Sequence, residues 1–159
     1  MSPQDYMKKA LEEAIKAQDS DEVPVGAIVV DSKTGEIVGS AHNLTEHTGD
    51  CTCHAEILAI REACAKTKNN RLRDMDIYVT LEPCAMCAAA ISFARIRNLY
   101  FGALDKKNGA VVNGIKFYDN ETCHHKPFVF SGIMENETSE IMKKFFKTKR
   151  KQKIVDKTF

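Results

Sequence analysis

Two short motifs restrict the architecture of this chain before anything else is considered. They are His54-Ala55-Glu56 and Pro83-Cys84-Ala85-Met86-Cys87. Each opens a helical pattern. From His54 to Lys66 the positions Ile57, Leu58, Ile60, Arg61 and Cys64 recur at helical spacing, and Asn69-Asn70 ends the run. Pro83 suits the start of a second helix, Cys84–Arg95. Between them Ile77–Leu81 (IYVTL) reads as a strand. If the imidazole and the two thiols serve one cation, two helix N-termini must converge at one place. A strand–helix repeat on a sheet achieves that.

The rest of the chain agrees with such a repeat. Ser2-Pro3 looks like an N-cap followed by Pro at N1, ahead of Met7, Ala10, Leu11, Ala14 and Ile15 at helical spacing. Val25–Val30 is a buried-strand run, Asp31 to Gly35 a turn, and Glu36–Ala41 the returning strand of a hairpin. Asn98–Ala103 and Phe128–Phe130 are further strands, separated by a loop-rich stretch from Asp105 to Glu121. A helix spans about 135–150, and 151–159 reads as a disordered tail. The expected fold is a three-layer α/β/α sandwich whose sheet is largely parallel, with an antiparallel hairpin at its start. A length of 159 residues suits one domain with a single sizeable core, 1–159.

Cys84 and Cys87, three positions apart in a first helical turn, point their sulfurs the same way. The helix dipole favours thiolates there. His54 supplies a third donor. Two thiolates and an imidazole are three of zinc's four tetrahedral ligands, and catalytic zinc sites leave the fourth place to water. Zn²⁺ lowers the pKa of such a water toward about 7. Glu56, two residues past His54, is placed to move protons without ligating. A closed, non-catalytic site would instead need a fourth protein ligand, for which Cys51 and Cys53 are the candidates.

The six cysteines read as reduced, because the N-terminus has no apolar signal segment and carries acidic residues. A cytoplasmic location follows as the expectation, and no apolar run approaches a membrane span. Cys64 reads as core. Cys123-His124-His125 reads as a packed turn, with a second metal as the alternative. Charge is uneven. Residues 1–142 hold 15 Lys and Arg against 21 Asp and Glu, whereas 143–159 hold 8 against 1. That asymmetry points to an anionic partner for the C-terminal helix, or to a solvated face.

The combined pattern H-x-E … P-C-x-x-C is that of zinc-dependent nucleobase deaminases. Together with "EVPVGAIVV", His42-Asn43, "HAEILAIR", "LYFGALDKKNGAV", "TCHHKPFVFSGI" and "FFKTKRK", it makes the chain resemble the bacterial tRNA-specific adenosine deaminases of the cytidine-deaminase-like superfamily. The resemblance implies a five-stranded mixed sheet flanked by helices, and a homodimer. The implied reaction is hydrolysis of adenosine to inosine at the wobble position of a tRNA anticodon arm. It implies that His54, Cys84 and Cys87 hold one Zn²⁺ per subunit, with a catalytic water and Glu56 as proton shuttle. Asn43 then binds the extruded base, and Asp105 lies near the ribose-phosphate backbone. Phe145, Phe146, Lys147, Lys149 and Arg150 fall on a helix near the RNA. A free base or nucleoside, guanine or cytosine, is the alternative substrate. One departure stands before "HAE": where the family usually reads like Asp-Pro/Val-Thr-Ala, this chain has Asp50-Cys51-Thr52-Cys53.

Overall fold

A computed structural model describes residues 1–158. The elements are α1 (Pro3–Asp19), β1 (Gly26–Asp31), β2 (Ile37–His42), α2 (Thr45–Thr48), α3 (Ala55–Thr67), β3 (Met75–Leu81), α4 (Ala85–Phe93), β4 (Asn98–Ala103), a 3₁₀ turn (Phe117–Asp119), β5 (Phe128–Phe130) and α5 (Glu135–Thr158). The five strands form one sheet in the order β2-β1-β3-β4-β5.

Strands β3, β4 and β5 are parallel, but β1 is antiparallel to both of its neighbours. The sheet is therefore mixed with β1 alone reversed, as expected for a largely parallel sheet that opens on an antiparallel hairpin. The chain leaves β2, crosses β1 on α3 and returns as β3. This skips one position and makes β2 and β3 point the same way, with β1 reversed between them. Their carboxyl ends, and the helix starts that follow, thus come to one side of the sheet, where α/β folds place their sites.

Burial explains the strand sequences. Five consecutive residues of β1, Gly26 to Val30, are buried because helices cover both faces. Ala27 and Val29 point into the core shared with α3, α4 and β4 (Ala59, Ala63, Ile91, Phe101). Ile28 and Val30 point to the opposite core, with Met7 and Ala10 of α1. On that second face Tyr78, Tyr100 and Phe130 stack across β3, β4 and β5, with ring centroids 4.4 Å and 4.8 Å apart. Helix α3 lies close on β2 at Gly39, where any Cβ would run into the carbonyl of Ala59. That approach seats α3 on β2, and His54 caps the same helix.

Two helices differ from expectation. Helix α5 continues through Thr158, so residues 151–158 are helical and not a disordered tail. No Gly or Pro interrupts Lys149 to Thr158, and Lys and Gln are good helix formers. Phe159 lies outside the described residues. Helix α4 stops at Phe93, two residues early, because Arg95 adopts a left-handed conformation (φ 61°) and its N–H bonds back to Ser92. Among the described residues no helix is long and apolar enough to cross a membrane.

Candidate active site

His54 and Cys84 play the same local role. Each is the N-cap of its helix, in extended conformation, and neither uses its side chain to cap. Both side chains are free to face a common point, and Cys87 joins them from the first turn of α4. His54 Nδ1 lies 3.7 Å from Cys84 Sγ and 3.5 Å from Cys87 Sγ. The three donor atoms lie within 4.8 Å of one another, and this is the one such group among the described residues.

The electrostatics fit a cation. The Cys84 thiol is lowered to about 4, first by the hydrogen bond from Cys87, against burial, and then by His54. The Cys87 thiol is pushed up, by that same sharing with Cys84 and by burial. Cysteines bind a metal as thiolates, so a divalent ion held by this donor group would displace thiol protons. Glu56 is 4% exposed and its Oε1 has no hydrogen-bond partner in the protein. Burial pushes its carboxyl above the usual range, partly opposed by a hydrogen bond from Cys87. A buried carboxylate oxygen without a partner, beside a two-thiol, one-imidazole donor set, fits a zinc ion carrying a water.

Asn43 directly follows β2 and is buried. Its N–H bonds to Val25 O, its side chain reaches Thr45 Oγ1 at 3.5 Å, and Leu44 N–H bonds to Cys53 O. That last bond ties the Asn43 segment to the residue before His54. Asp105 sits just past β4, its carboxylate accepting from the Lys107 and Asn108 N–H groups. The Asn43 segment is thus tied to the residue before His54, and Asp105 bonds through its N–H to Glu82, two residues before Cys84.

Cys53 is buried and Cys51 exposed, and neither belongs to the donor group. Cys64 packs partly buried against the core. Around Cys123 the expected packed turn is found: its Sγ donates to His125 O at 3.2 Å, and His125 Nε2 lies 2.6 Å from Ile96 O. On α5, Phe145 is buried and Phe146 is 42% exposed, so of the two only Phe146 offers a face to a partner. Lys149 pairs with Asp21 at 2.6 Å and lies over the Phe145 ring. Lys147 and Arg150 are exposed. A groove of about 530 Å³ runs between α5 and the α1–α2 side, lined by Asp21, His47, Phe145, Phe146, Lys149 and Lys153. It shares no residue with the donor group.

Four buried carboxylates besides Glu56 were not foreseen, Glu13, Glu22, Asp76 and Glu82, and two of them gather backbone N–H groups from distant segments. Glu22, fully buried, accepts the N–H groups of Glu46 and His47 and contacts the His47 ring, anchoring α2. Glu82, 2% exposed, gathers donors from the loop after β4. The one hint in the sequence was an acidic residue inside "TLEPC", between a buried strand and a ligand.

A mixed five-stranded α/β/α sandwich with a His-Cys-Cys donor group and a buried glutamate at its helix starts defines a cytidine-deaminase-like enzyme. A family model described as MafB19-like deaminase matches residues 1–150. The tRNA-specific adenosine deaminase of Agrobacterium fabrum is 52% identical over 145 residues, 91% of this chain and 94% of that protein. That of Bacillus subtilis is 42% identical over 148 residues, 93% and 91%. A structure solved in work on A-to-I editing at the wobble position of transfer RNA superposes with a TM-score of 0.83 at 52% identity, covering 86% of this chain and 98% of that one. A guanine deaminase from Nitrosomonas europaea shares the fold, with a TM-score of 0.79 at 20% identity over 91% and 84%. The chain belongs to the tRNA-specific adenosine deaminases of this deaminase family.

Proposed function

We propose that the protein hydrolyses adenosine to inosine, releasing ammonia, at the wobble position of a tRNA anticodon arm. The observation that carries this is the unpartnered Glu56 Oε1 buried beside the His54, Cys84 and Cys87 donors. The substrate follows from relatives of 42–52% identity along most of their length. The 20%-identical guanine deaminase speaks for the fold alone. RNA is further favoured over a free base by the basic residues of α5.

In this reading His54, Cys84 and Cys87 hold one Zn²⁺ per subunit. When bound, zinc supplies Lewis acidity: it acidifies a water and stabilises negative charge on oxygen. The protein's own groups do the rest. Glu56 accepts the proton of the attacking water and passes it to N1 of the adenine. It then takes the remaining proton of the added hydroxyl and delivers it to the exocyclic amino group, which departs as ammonia as the C6–N bond breaks and the C6 carbonyl of inosine forms. Its burial raises its proton affinity, which suits a group that must both take and return a proton. Asn43 orients the extruded base, and Asp105 lies by the flanking ribose-phosphate. An anticodon loop is already single-stranded, so extrusion costs less than from a duplex. Phe146, Lys147, Lys149 and Arg150 present an aromatic face and positive charge to the RNA, with Phe145 supporting them from beneath. We also propose a homodimer. Phe93, at the end of α4, is 77% exposed, and a second copy would cover it.

The direct test is inosine formation in an anticodon stem-loop by the zinc-loaded protein, against free adenosine, guanine and cytosine. Turnover confined to the free compounds would overturn the tRNA reading. Sedimentation tests the dimer.

A further inference from the structure

We propose that Glu82 is a positioning residue for the substrate, holding the loop from Asp105 to Asn113 at the edge of the donor group. This rests on the tRNA reading above. Glu82 is the last residue but one before Cys84. Its Oε1 accepts the Asp105 N–H at 3.0 Å and the Asn113 side-chain amide at 2.7 Å. Its Oε2 accepts the N–H groups of Val111, Val112 and Asn113 at 3.1, 3.0 and 3.0 Å. Five donors from one loop thus meet on one carboxylate, 2% exposed.

The backbone beside it repeats the connection. Pro83 O accepts the Ala110 N–H at 2.9 Å, and Ala103 O accepts the Glu82 N–H at 2.8 Å. Gly109 is the point of closest approach, where a Cβ would come 2.6 Å from Glu82 Oε2. The loop and the carboxylate are fitted to each other, and the loop carries Asp105. Asp105 stands two residues past the end of β4, and the bond from its N–H to Glu82 Oε1 is a second tether. With Glu82 in place, Asp105 is fixed relative to Cys84 through two residues of chain.

The role differs from general support of the core, because every donor comes from this loop and none from a helix or strand packed beneath it. Both oxygens receive only donors, so a glutamine at this position must turn its amide N–H toward an N–H. Glu82→Gln keeps size and shape and removes the anchoring. It leaves the backbone of Pro83 and the ligands untouched.

The experiment uses the full-length, zinc-loaded protein and two variants, Glu82→Gln and the milder Asn113→Ala, which removes one bond and keeps the four others. Three quantities are read: zinc per chain, hydrogen exchange of the Val111, Val112 and Asn113 amides, and kcat and KM on an anticodon stem-loop. In Glu82→Gln those amides are expected to exchange about tenfold faster or more. KM is expected to rise about tenfold, with kcat within about threefold of wild type and zinc unchanged. Asn113→Ala is expected to move exchange and KM the same way by about threefold, and it decides the matter if Glu82→Gln does not fold. Unchanged exchange or unchanged KM overturns the proposal. So does loss of zinc or of kcat alone, which would make Glu82 a support of the metal pair. A wild-type protein inactive on the stem-loop would overturn the substrate reading instead, while the exchange data would still judge the anchoring.

Discussion

Nδ1 of His54 lies 3.5 Å from Sγ of Cys87, across 33 residues of chain. The contact exists because α3 and α4 start on the same side of the sheet, at the ends of two strands that point the same way. It makes the metal content of the protein a property of two separate helix starts. Cobalt substitution is expected to give absorption characteristic of two thiolates. Cys53→Ala is expected to leave that spectrum unchanged, and Cys87→Ser to lose half the thiolate intensity together with most of the metal affinity. Three thiolates in the spectrum would mean that Cys51 or Cys53 closes the site.

Glu56 adds the proton carrier. Glu56→Gln keeps the volume of the side chain and removes its basicity, and no ligand is changed. Zinc per chain is expected to stay the same, while kcat on the stem-loop falls by about 100- to 10,000-fold. Retained turnover at full zinc content would remove Glu56 from the mechanism.

The ligands were legible because residue type and spacing encode them: a C-x-x-C and a His-x-Glu at helix starts leave little freedom. The order of the strands in the sheet was not. A β-α-β alternation looks the same whether or not the crossover skips a strand, and here it skips β1. Helix α2 has four residues, too few for any period to show. Glu22 and Glu82 were hidden for another reason. Their main partners are backbone N–H groups 23 to 31 residues away, and a backbone donor has no residue type to read. Phe145 and Phe146, adjacent on α5, could be split in advance into one inward and one outward ring, and they are.

Glu22 gives the fold a pH dependence. Burial pushes its carboxyl up, but the N–H groups of His47 and Glu46 and the His47 ring outweigh that, and the net shift is below the ordinary value of 4.5. A carboxylate depressed in the folded state stabilises above its unfolded pKa and loses that contribution as pH falls through the folded value. Glu22→Gln sets an amide against these N–H donors and is expected to cost about 1–3 kcal/mol at pH 7. Urea unfolding of wild type and variant is expected to show the gap shrinking once pH drops below 4.5. A gap independent of pH would show that Glu22 contributes through shape alone.

Close packing of α3 on β2 is the mechanical basis of the site. Gly39→Ala would drive a methyl group into the Ala59 carbonyl. Overpacking of this kind typically costs about 1–3 kcal/mol. Because His54 caps the same helix, zinc affinity is expected to fall along with the unfolding midpoint. A variant that loses stability and keeps full zinc affinity would show that α3 adjusts without moving its N-terminus.

The basic face of α5 is testable through salt. Lys147 and Arg150 are exposed, whereas Lys149 is engaged with Asp21. A lysine or arginine on a phosphate of single-stranded RNA adds about 0.7 to the slope of log affinity against log salt. Lys147→Gln with Arg150→Gln is therefore expected to weaken stem-loop binding at low salt and to flatten the salt slope by about 1.4, two contacts at that value. Deamination at saturating stem-loop is expected to stay close to wild type, since neither residue belongs to the donor group. Asp21→Asn, which frees Lys149, is expected to act in the opposite sense and to strengthen binding at low salt. Equal slopes for wild type and the double variant would mean that this stretch of α5 is a solvated face and that the RNA lies elsewhere.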